Sequence, residues 1–315
     1  MQTSPTPEGQ QVNPELDALA TALYVTVDDM LAAEPSLVPD RPTVGIAPLL
    51  SDAELLTLAV LQALLGYTSE ARFVRYARRH LKSLFPYVPE RPAYNKRLRR
   101  STRMMAAAMR ALARACDAWW DGLWLVDSTP VECGRSHETA KRSGLAGWAG
   151  YGYCASHTRY FWGLRLHLIA TPAGLPIAFA LANPKQDERE VLWHLLITDP
   201  TLLAGRAGQV LMADKGYRSE ELERALAEIG ITLVRPARKD EPGRPGACFL
   251  KPFRQVIESV NQTLKAQLDL ERHGGRSVAG VTARVWQRLL ALTVAIWHNQ
   301  NTRQPVLRSL VAYDC

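Results

Sequence analysis

Three carboxylates in this sequence of 315 residues each lie in a patterned segment that would hold them in place. The apolar run 123–126 ends in Asp127, and a second run, 210–213, ends in Asp214. Short apolar runs bounded by turn residues predict buried strands, so both carboxylates are expected at strand ends. Glu258 lies in a segment with helical spacing. For the first stretch alone, an alternative is that Asp127 opens a turn before Pro130, as Asp commonly does.

If these three acids meet, they form an oxygen-rich pocket of the kind that magnesium prefers. Two such ions about 4 Å apart activate an attacking oxygen and stabilise a leaving one in phosphoryl transfer. The five cysteines form no Cys-x-x-Cys pair, and the seven histidines include no pair with zinc-site spacing. The expected metal is therefore Mg²⁺, with Mn²⁺ as a substitute, held by Asp127, Asp214 and Glu258.

The segment around Glu258 has a polar stripe. At about 100° per residue, one helix face collects Lys251, Arg254, Glu258, Asn261 and Lys265, while the apolar residues fall on the other side. The stripe holds a single acid among cations, as expected of a catalytic carboxylate near a phosphate. The alternative is an ordinary surface helix that is stabilised by an ion pair between Arg254 and Glu258, four residues apart.

Charge is unevenly distributed along the chain, whose formal net charge is +7. Residues 1–70 hold one basic and ten acidic side chains, whereas residues 71–120 hold thirteen basic and two acidic ones. A basic block of this density indicates a polyanionic partner, and nucleic acid is the usual one. The alternative is a solvated helix face that binds nothing. The DNA-binding candidates in this block are Lys96, Arg97, Arg99 and Arg100.

The remaining pattern predicts a helical region followed by a mixed α/β layer. Residues 14–115 show helical spacing without strand signals, including one long segment from 94 to 115. After residue 119 we predict strand 123–127, a glycine-rich loop 133–160, a hairpin of 161–170 and 177–181, helix 187–196, strand 210–213, helix 219–229, strand 231–235, and helices 251–270 and 278–299. The domain prediction is a disordered tail 1–14, a helical, basic DNA-binding region 15–118, a catalytic domain 119–302 and a C-terminal tail 303–315.

The acidic motifs resemble those of a DDE transposase from a bacterial insertion sequence. The matching motifs are Asp127-Ser128, Asp214-Lys215-Gly216-Tyr217, and Arg254-x3-Glu258-x6-Lys265. The last is similar to the family's Tyr-Arg-Glu-Lys signature, except that Lys251 stands where the family has Tyr. Residues 160–168 also resemble the hairpin strand that follows the first Asp in that family. The resemblance covers roughly residues 119–300.

This resemblance implies a ribonuclease H-like mixed sheet flanked by helices, preceded here by the all-helical region. It also implies two-metal DNA cleavage at the ends of an insertion sequence and strand transfer into target DNA. Asp127, Asp214 and Glu258 would be the catalytic and metal-binding residues, and Arg254, Lys265 and Lys251 would contact DNA. Expected partners are the terminal inverted repeats, target DNA and a second copy in a homodimer on DNA. The alternatives are a metal-dependent nuclease of the same fold and a non-catalytic DNA-binding protein derived from a transposase.

Other features indicate a protein of the cytoplasm, where a DNA-acting enzyme would be nucleoid-associated. Asp187, Glu188 and Glu190 add acids near the site, but preference for negative charge at a helix N-terminus explains them. No window of about 18 apolar residues predicts a membrane span. The odd, scattered cysteines favour free thiols in a reducing compartment.

Overall fold

The computed structural model describes residues 14–40, 47–134, 136–154, 158–206, 208–244, 246–306 and Leu310. The predicted tail 1–14 therefore lies outside the described residues except for Pro14, as does most of the tail 303–315. Within the described part of the chain, no helix is long and apolar enough to cross a membrane.

The N-terminal region is helical, as expected. Its helices are α1 (Pro14–Ala33), α2 (Asp52–Leu64), α3 (Glu70–His80), α4 (Arg91–Arg100) and α5 (Thr102–Arg114). A capping box begins α2: the Ser51 hydroxyl accepts from the Glu54 N–H, and the Glu54 carboxylate accepts from the Ser51 N–H. Nearly every residue of α2 is buried, so this helix forms the centre of the bundle.

The predicted long helix 94–115 is wrong, because Ser101 divides it into α4 and α5. The backbone of Ser101 leaves the helical conformation with a ψ of 6°. Its hydroxyl is buried and donates to the Leu98 carbonyl at 2.8 Å. The first of these helices also begins earlier, since Pro92 occupies its first turn, where the missing N–H is tolerated.

The rest of the chain builds a six-stranded mixed sheet with flanking helices. Its elements are β1 (Leu123–Gly134), α6 (His137–Arg142), β2 (Gly150–Cys154), β3 (Arg159–Ala170), β4 (Pro176–Ala182), α7 (Glu188–Ile197), β5 (Gln209–Met212), α8 (Glu220–Glu228), β6 (Ile231–Val234), α9 (Ala247–Gln262) and α10 (Val278–Asn301). The strand order is β2-β3-β1-β5-β6, and β4 also pairs with β3. The β1, β2, β3 and β4 pairings are antiparallel, whereas β5 and β6 run parallel to β1. The predicted mixed sheet flanked by helices, preceded by an all-helical N-terminal region, is confirmed.

Strand β1 does not end at Asp127, contrary to the prediction, and no turn opens there. It continues for seven more residues to Gly134, because β3 pairs with it along that whole length. Pairing with β5 stops at Leu125, so the second half of β1 has one paired neighbour. Pro130 is tolerated in this half, since proline is accepted at a free strand edge.

The predicted loop 133–160 is also wrong in part, because it contains α6 and β2. Glycines made this segment look irregular, but two of them are required by close packing within a strand. A Cβ on Gly150 would lie 2.8 Å from the Asn183 side chain, and one on Gly152 would lie 2.6 Å from Pro184. Both glycines therefore let the chain after β4 pack directly against the edge strand.

Helix α10 connects the two parts of the molecule. It packs against α1, α2, α4 and α5 on one side and against β4 on another. Its Gln287 donates to the Ala59 carbonyl at 2.7 Å, and its Arg284 forms a buried ion pair with Glu70. The helical region and the sheet consequently share a continuous apolar core.

We predict that Gly163→Ala will destabilise the protein by at least about 3 kcal/mol, because a Cβ there would collide with the Val131 carbonyl of β1. Chemical denaturation measures the change. Gly122→Ala is the control, since a Cβ at that position has nothing within 4 Å. Equal stability of the two variants would contradict the described register of β1 and β3.

We also predict a pH-dependent loss of stability from His167, which is buried on β3. Burial, together with the positive charge of Arg165, lowers the pKa of His167 from 6.5 to about 4. Below pH 6.5 His167 takes up a proton in the unfolded chain but stays neutral in the folded chain. The contribution of this residue to the free energy of unfolding is therefore complete above pH 6.5 and is lost as the pH falls toward 4. The slope is about 1.4 kcal/mol per pH unit from this residue.

Urea unfolding at pH 7 and pH 5 tests this. The free energy of unfolding should fall by about 1–2 kcal/mol less for His167→Leu than for wild type over this interval. His194→Leu, at an exposed position of α7, is the control and should follow the wild type. A His167→Leu variant with the wild-type pH dependence would overturn the assignment.

Candidate active site

Asp127 lies half-buried in β1, two residues beyond the last pair with β5. Its carboxylate turns to the sheet face covered by α9, where Asn261 Nδ2 donates to Asp127 Oδ2 at 2.9 Å. Burial raises the pKa of Asp127 to about 6; the Ser128 N–H opposes this, and the charges of Asp214, Glu188 and Glu258 add to it. The carboxylates thus act on one another at this edge of the sheet.

Asp214 follows β5 and begins a short 3₁₀ turn, Lys215–Tyr217. It is exposed, and its Oδ1 accepts from the Gly216 N–H at 2.6 Å. A Cβ on Gly216 would lie 2.8 Å from that same oxygen, so glycine allows the turn to hold the carboxylate this closely. The second motif therefore fixes its acid through the backbone.

Glu258 lies on the outer side of α9, one turn before Asn261. Its Oε1 accepts from Arg254 Nε at 2.8 Å, and both side chains are more than half exposed. The ion pair expected for an ordinary surface helix is therefore present. The hydrogen bond and charge of Glu258 raise the pKa of Arg254, and the charges of Asp127 and Asp214 raise it further. The charges of all three acids thus act on the Arg254 guanidinium.

The three acids fit a divalent cation by their chemistry, although they do not converge on one point. Among the described residues, no three His, Cys, Asp or Glu side chains are grouped closely enough to hold a metal ion. Each acid instead engages a different protein donor. The candidate metal ligands at the site are all carboxylate oxygens, which Mg²⁺ prefers. The Asn261 Oδ1 atom beside Asp127 is buried and has no hydrogen-bond partner in the described part of the chain, so a further oxygen is available there.

A second cluster, Ser128, Arg165 and Glu188, was missed as a functional group by sequence reasoning. Glu188 Oε1 accepts from Ser128 Oγ at 2.7 Å and from Arg165 Nη1 at 2.8 Å. Arg165 Nη1 also donates to Ser128 Oγ at 2.7 Å. Successive strand residues face opposite sides, so Ser128 faces α7 while Asp127 faces α9. The available signal was Arg165, a charge in an otherwise apolar strand pattern.

Tyr217, the last residue of the second motif, is buried below these acids. Its hydroxyl has no hydrogen-bond partner within the described chain. Burial raises its pKa well above the ordinary value, and the charges of Glu188, Asp127 and Asp214 act in the same direction. The phenol therefore remains protonated beside the carboxylates.

The DNA-binding candidates on α9 fall into two groups. Lys251 and Arg254 are exposed on the helix that carries Glu258. Lys265 lies beyond it in a π-helical turn, Thr263–Gln267, which breaks the expected stripe. Its ammonium is 3.7 Å from Glu271 Oε1 and is mostly buried. The structure therefore gives Lys265 an internal partner.

The candidates on α4 divide in the same way. Lys96, Arg99 and Arg100 are exposed. Arg97 turns inward to the start of α2, where it donates to the Leu50 carbonyl at 2.6 Å and to Asp52 Oδ1 at 2.7 Å. Sequence alone shows four equivalent cations, whereas the fold uses one of them to join two helices.

The family model "Transposase DDE domain" matches residues 118–278, slightly more than half of the chain and a segment that contains all three acids. The chain belongs to this family. Sequence comparison with curated proteins gives no match for this DDE transposase. Among solved structures, its fold is similar to that in the cryo-EM structure of a piggyBac transposase synaptic complex with hairpin DNA. That comparison gives a TM-score of 0.39 and 9% identity, and covers 98% of this chain and 85% of the other.

The Ser128–Arg165–Glu188 cluster should act as a unit. We predict a coupling energy of about 1–2 kcal/mol between Arg165→Met and Glu188→Gln, because the pair is mostly buried and hydrogen-bonded. Urea unfolding of both single variants and the double variant gives this value. The matched control cycle uses the exposed Arg254–Glu258 pair, for which the coupling should stay below about 0.5 kcal/mol. A coupling no larger for the first pair would contradict its structural role.

Proposed function

We propose that this DDE transposase cleaves DNA strands at the ends of an insertion sequence and joins them to target DNA, with divalent metal ions as cofactors. The observation that carries the proposal is that Asp127, Asp214 and Glu258 lie near enough at one edge of the sheet for the charges of Asp214 and Glu258 to act on Asp127, and for all three to act on Arg254. Family membership supports it, since these residues lie inside the matching segment. Hydrolysis and joining are both displacements at phosphorus, so one site serves both steps.

In this proposal Asp127, Asp214 and Glu258 hold Mg²⁺, or Mn²⁺ in its place. A divalent ion held by these carboxylates would supply activation of the attacking oxygen and stabilisation of the leaving one. The chain's own contribution is to present the carboxylates. Asn261 Nδ2 donates to one oxygen of Asp127, whose carboxylate also accepts from the Ser128 N–H, and the Gly216 N–H donates to one oxygen of Asp214.

Arg254 and Lys251 are the proposed phosphate contacts at the site. Both are exposed, and Arg254 lies within electrostatic reach of the three acids. A guanidinium binds a phosphate through paired hydrogen bonds, which would hold the DNA backbone beside the carboxylates. Lys96, Arg99 and Arg100 extend the proposed contact surface to α4, whereas Arg97 and Lys265 would act mainly through their internal partners.

The proposed DNA partners are terminal inverted repeats and target DNA, bound by a homodimer. Support for DNA comes from the family and from the concentration of exposed cations on α4. Contacts of this kind position the duplex through its phosphates without reading its sequence.

We predict that Asp127→Asn, Asp214→Asn and Glu258→Gln each reduce DNA cleavage and strand transfer by at least about 100-fold. A bound metal contributes several kcal/mol to the transition state, and each substitution removes a charged oxygen ligand. The measurement uses a labelled duplex with Mg²⁺ or Mn²⁺ and separates nicked from joined products. Joined products distinguish a transposase from a nuclease of the same fold.

Glu190→Gln is the matched control, because this exposed glutamate of α7 lies outside the cluster. It should cleave at the wild-type rate, and all four variants should bind DNA. Wild-type strand transfer by Asp214→Asn would show that this acid is not part of the site. Cleavage that is independent of added metal would contradict the cofactor assignment.

A further inference from the structure

A cleft outside the candidate active site separates the helical region from the segment that enters α10. Its volume is about 430 Å³, and it lies between the start of α3, one side of α4 and the segment 273–277. Four arginines line it: Arg91 and Arg99 of α4, Arg276, and Arg284 of α10. The two arginines of α4 lie far along the chain from Arg276 and Arg284 and meet them only in the folded molecule, so sequence spacing does not group them.

The arginines give the cleft an excess of positive charge. Arg99 and Arg276 are exposed, and neither guanidinium has a hydrogen-bond or ion-pair partner among the described residues. Glu70 is the single carboxylate in the described lining, and it is buried. It already pairs with Arg284 and accepts from Asn95 Nδ2 at 2.6 Å. The cleft is thus cationic, with its acid neutralised from within.

Backbone groups add to this charge. The caps of two helices line the cleft, Ser69 for α3 and Ser277 for α10. Each cap hydroxyl accepts one N–H, from Arg72 and Gly280 respectively. Other first-turn N–H groups of a helix have no intrahelical acceptor and carry partial positive charge. Both helices therefore favour an anion between the arginines.

We propose that this cleft binds one phosphate of the DNA backbone, held jointly by Arg99 and Arg276. This inference rests on the proposed function, because it takes DNA as the substrate. Two side chains that belong to separate regions would then grip the same phosphodiester, linking α4 to the start of α10.

The cleft adjoins a second depression that reaches the strand carrying Asp127. Residues 273–276 line a neighbouring depression together with Glu132 of β1, five residues beyond Asp127. The strand segment from Asp127 to Glu132 spans about 16 Å. A duplex bound at the acids is therefore expected to extend along β1 toward the cleft.

The test is the salt dependence of DNA binding. A fluorescein-labelled duplex of 30 base pairs is titrated with the full chain in EDTA at 50–300 mM NaCl, and binding is followed by anisotropy. Wild type is compared with Arg99→Gln, Arg276→Gln and the double variant. Losing one phosphate contact lowers the slope of log affinity against log salt by about 0.9. We expect this loss in the double variant, and weaker binding in each single variant.

Arg224→Gln, an exposed arginine of α8, is the matched control for charge and should keep the wild-type slope. Thermal melting confirms that all variants fold. A double variant with the slope of this control overturns the phosphate site. A loss near 1.8 shows two separate phosphates and overturns the shared site. Absence of any wild-type binding would instead refute the proposed function, so the two failures are distinguishable.

Discussion

The candidate site depends on one constraint in the sheet: β1 has a neighbour on each side only as far as Leu125. Beyond this residue β3 still pairs with it, but β5 has ended. The parallel and antiparallel halves of the sheet meet at this point, which is where open sheets leave a crevice. Asp127 and Asp214 emerge at the same edge because β5 is short, and α9 then covers that edge with Glu258 and Asn261.

The electrostatic arrangement follows from this geometry. Like charges brought to one edge repel, and burial makes the charged form of Asp127 unfavourable. Each acid therefore accepts from a different donor: Asp127 from the Asn261 amide on α9, Asp214 from the Gly216 N–H after β5, and Glu258 from the Arg254 guanidinium one turn away on α9. On the opposite face Arg165 pairs with Glu188, whose charge still reaches Asp127 through the sheet.

Local patterns predicted much of the fold. The predicted hairpin of β3 and β4 turns at Gly174, and the predicted helix 219–229 begins at the Ser219 cap, so nearby residues set both elements and the sequence reveals them. The failures have tertiary causes. Pairing with β3 extends β1 through Pro130, and the packing of Asn183 and Pro184 explains glycines that looked like a loop.

The site shows the same division. Motif spacing singled out the acids, but it did not reveal that Asn261 bonds to Asp127 or that Glu188 bonds to Arg165 and Ser128. The bond between Asn261 and Asp127 depends on the packing of α9 against β1, which joins residues more than 100 positions apart. The bonds of Glu188 depend on the register of β1 and β3 and on the position of α7. Three of the α4 cations are exposed, whereas Arg97 binds the start of α2, and this difference likewise depends on where α2 begins.

Helix α10 gives the molecule its mechanical character. Because its apolar surface is shared by α1, α2, α4, α5 and β4, neither side of the molecule has a complete core without it. The N-terminal helices are consequently not a separable module, and replacing them with another DNA-binding domain would remove part of the core that surrounds α10. A force applied to those helices is transmitted through the packed side chains of α10 directly to the sheet, so the two parts move together at this helix.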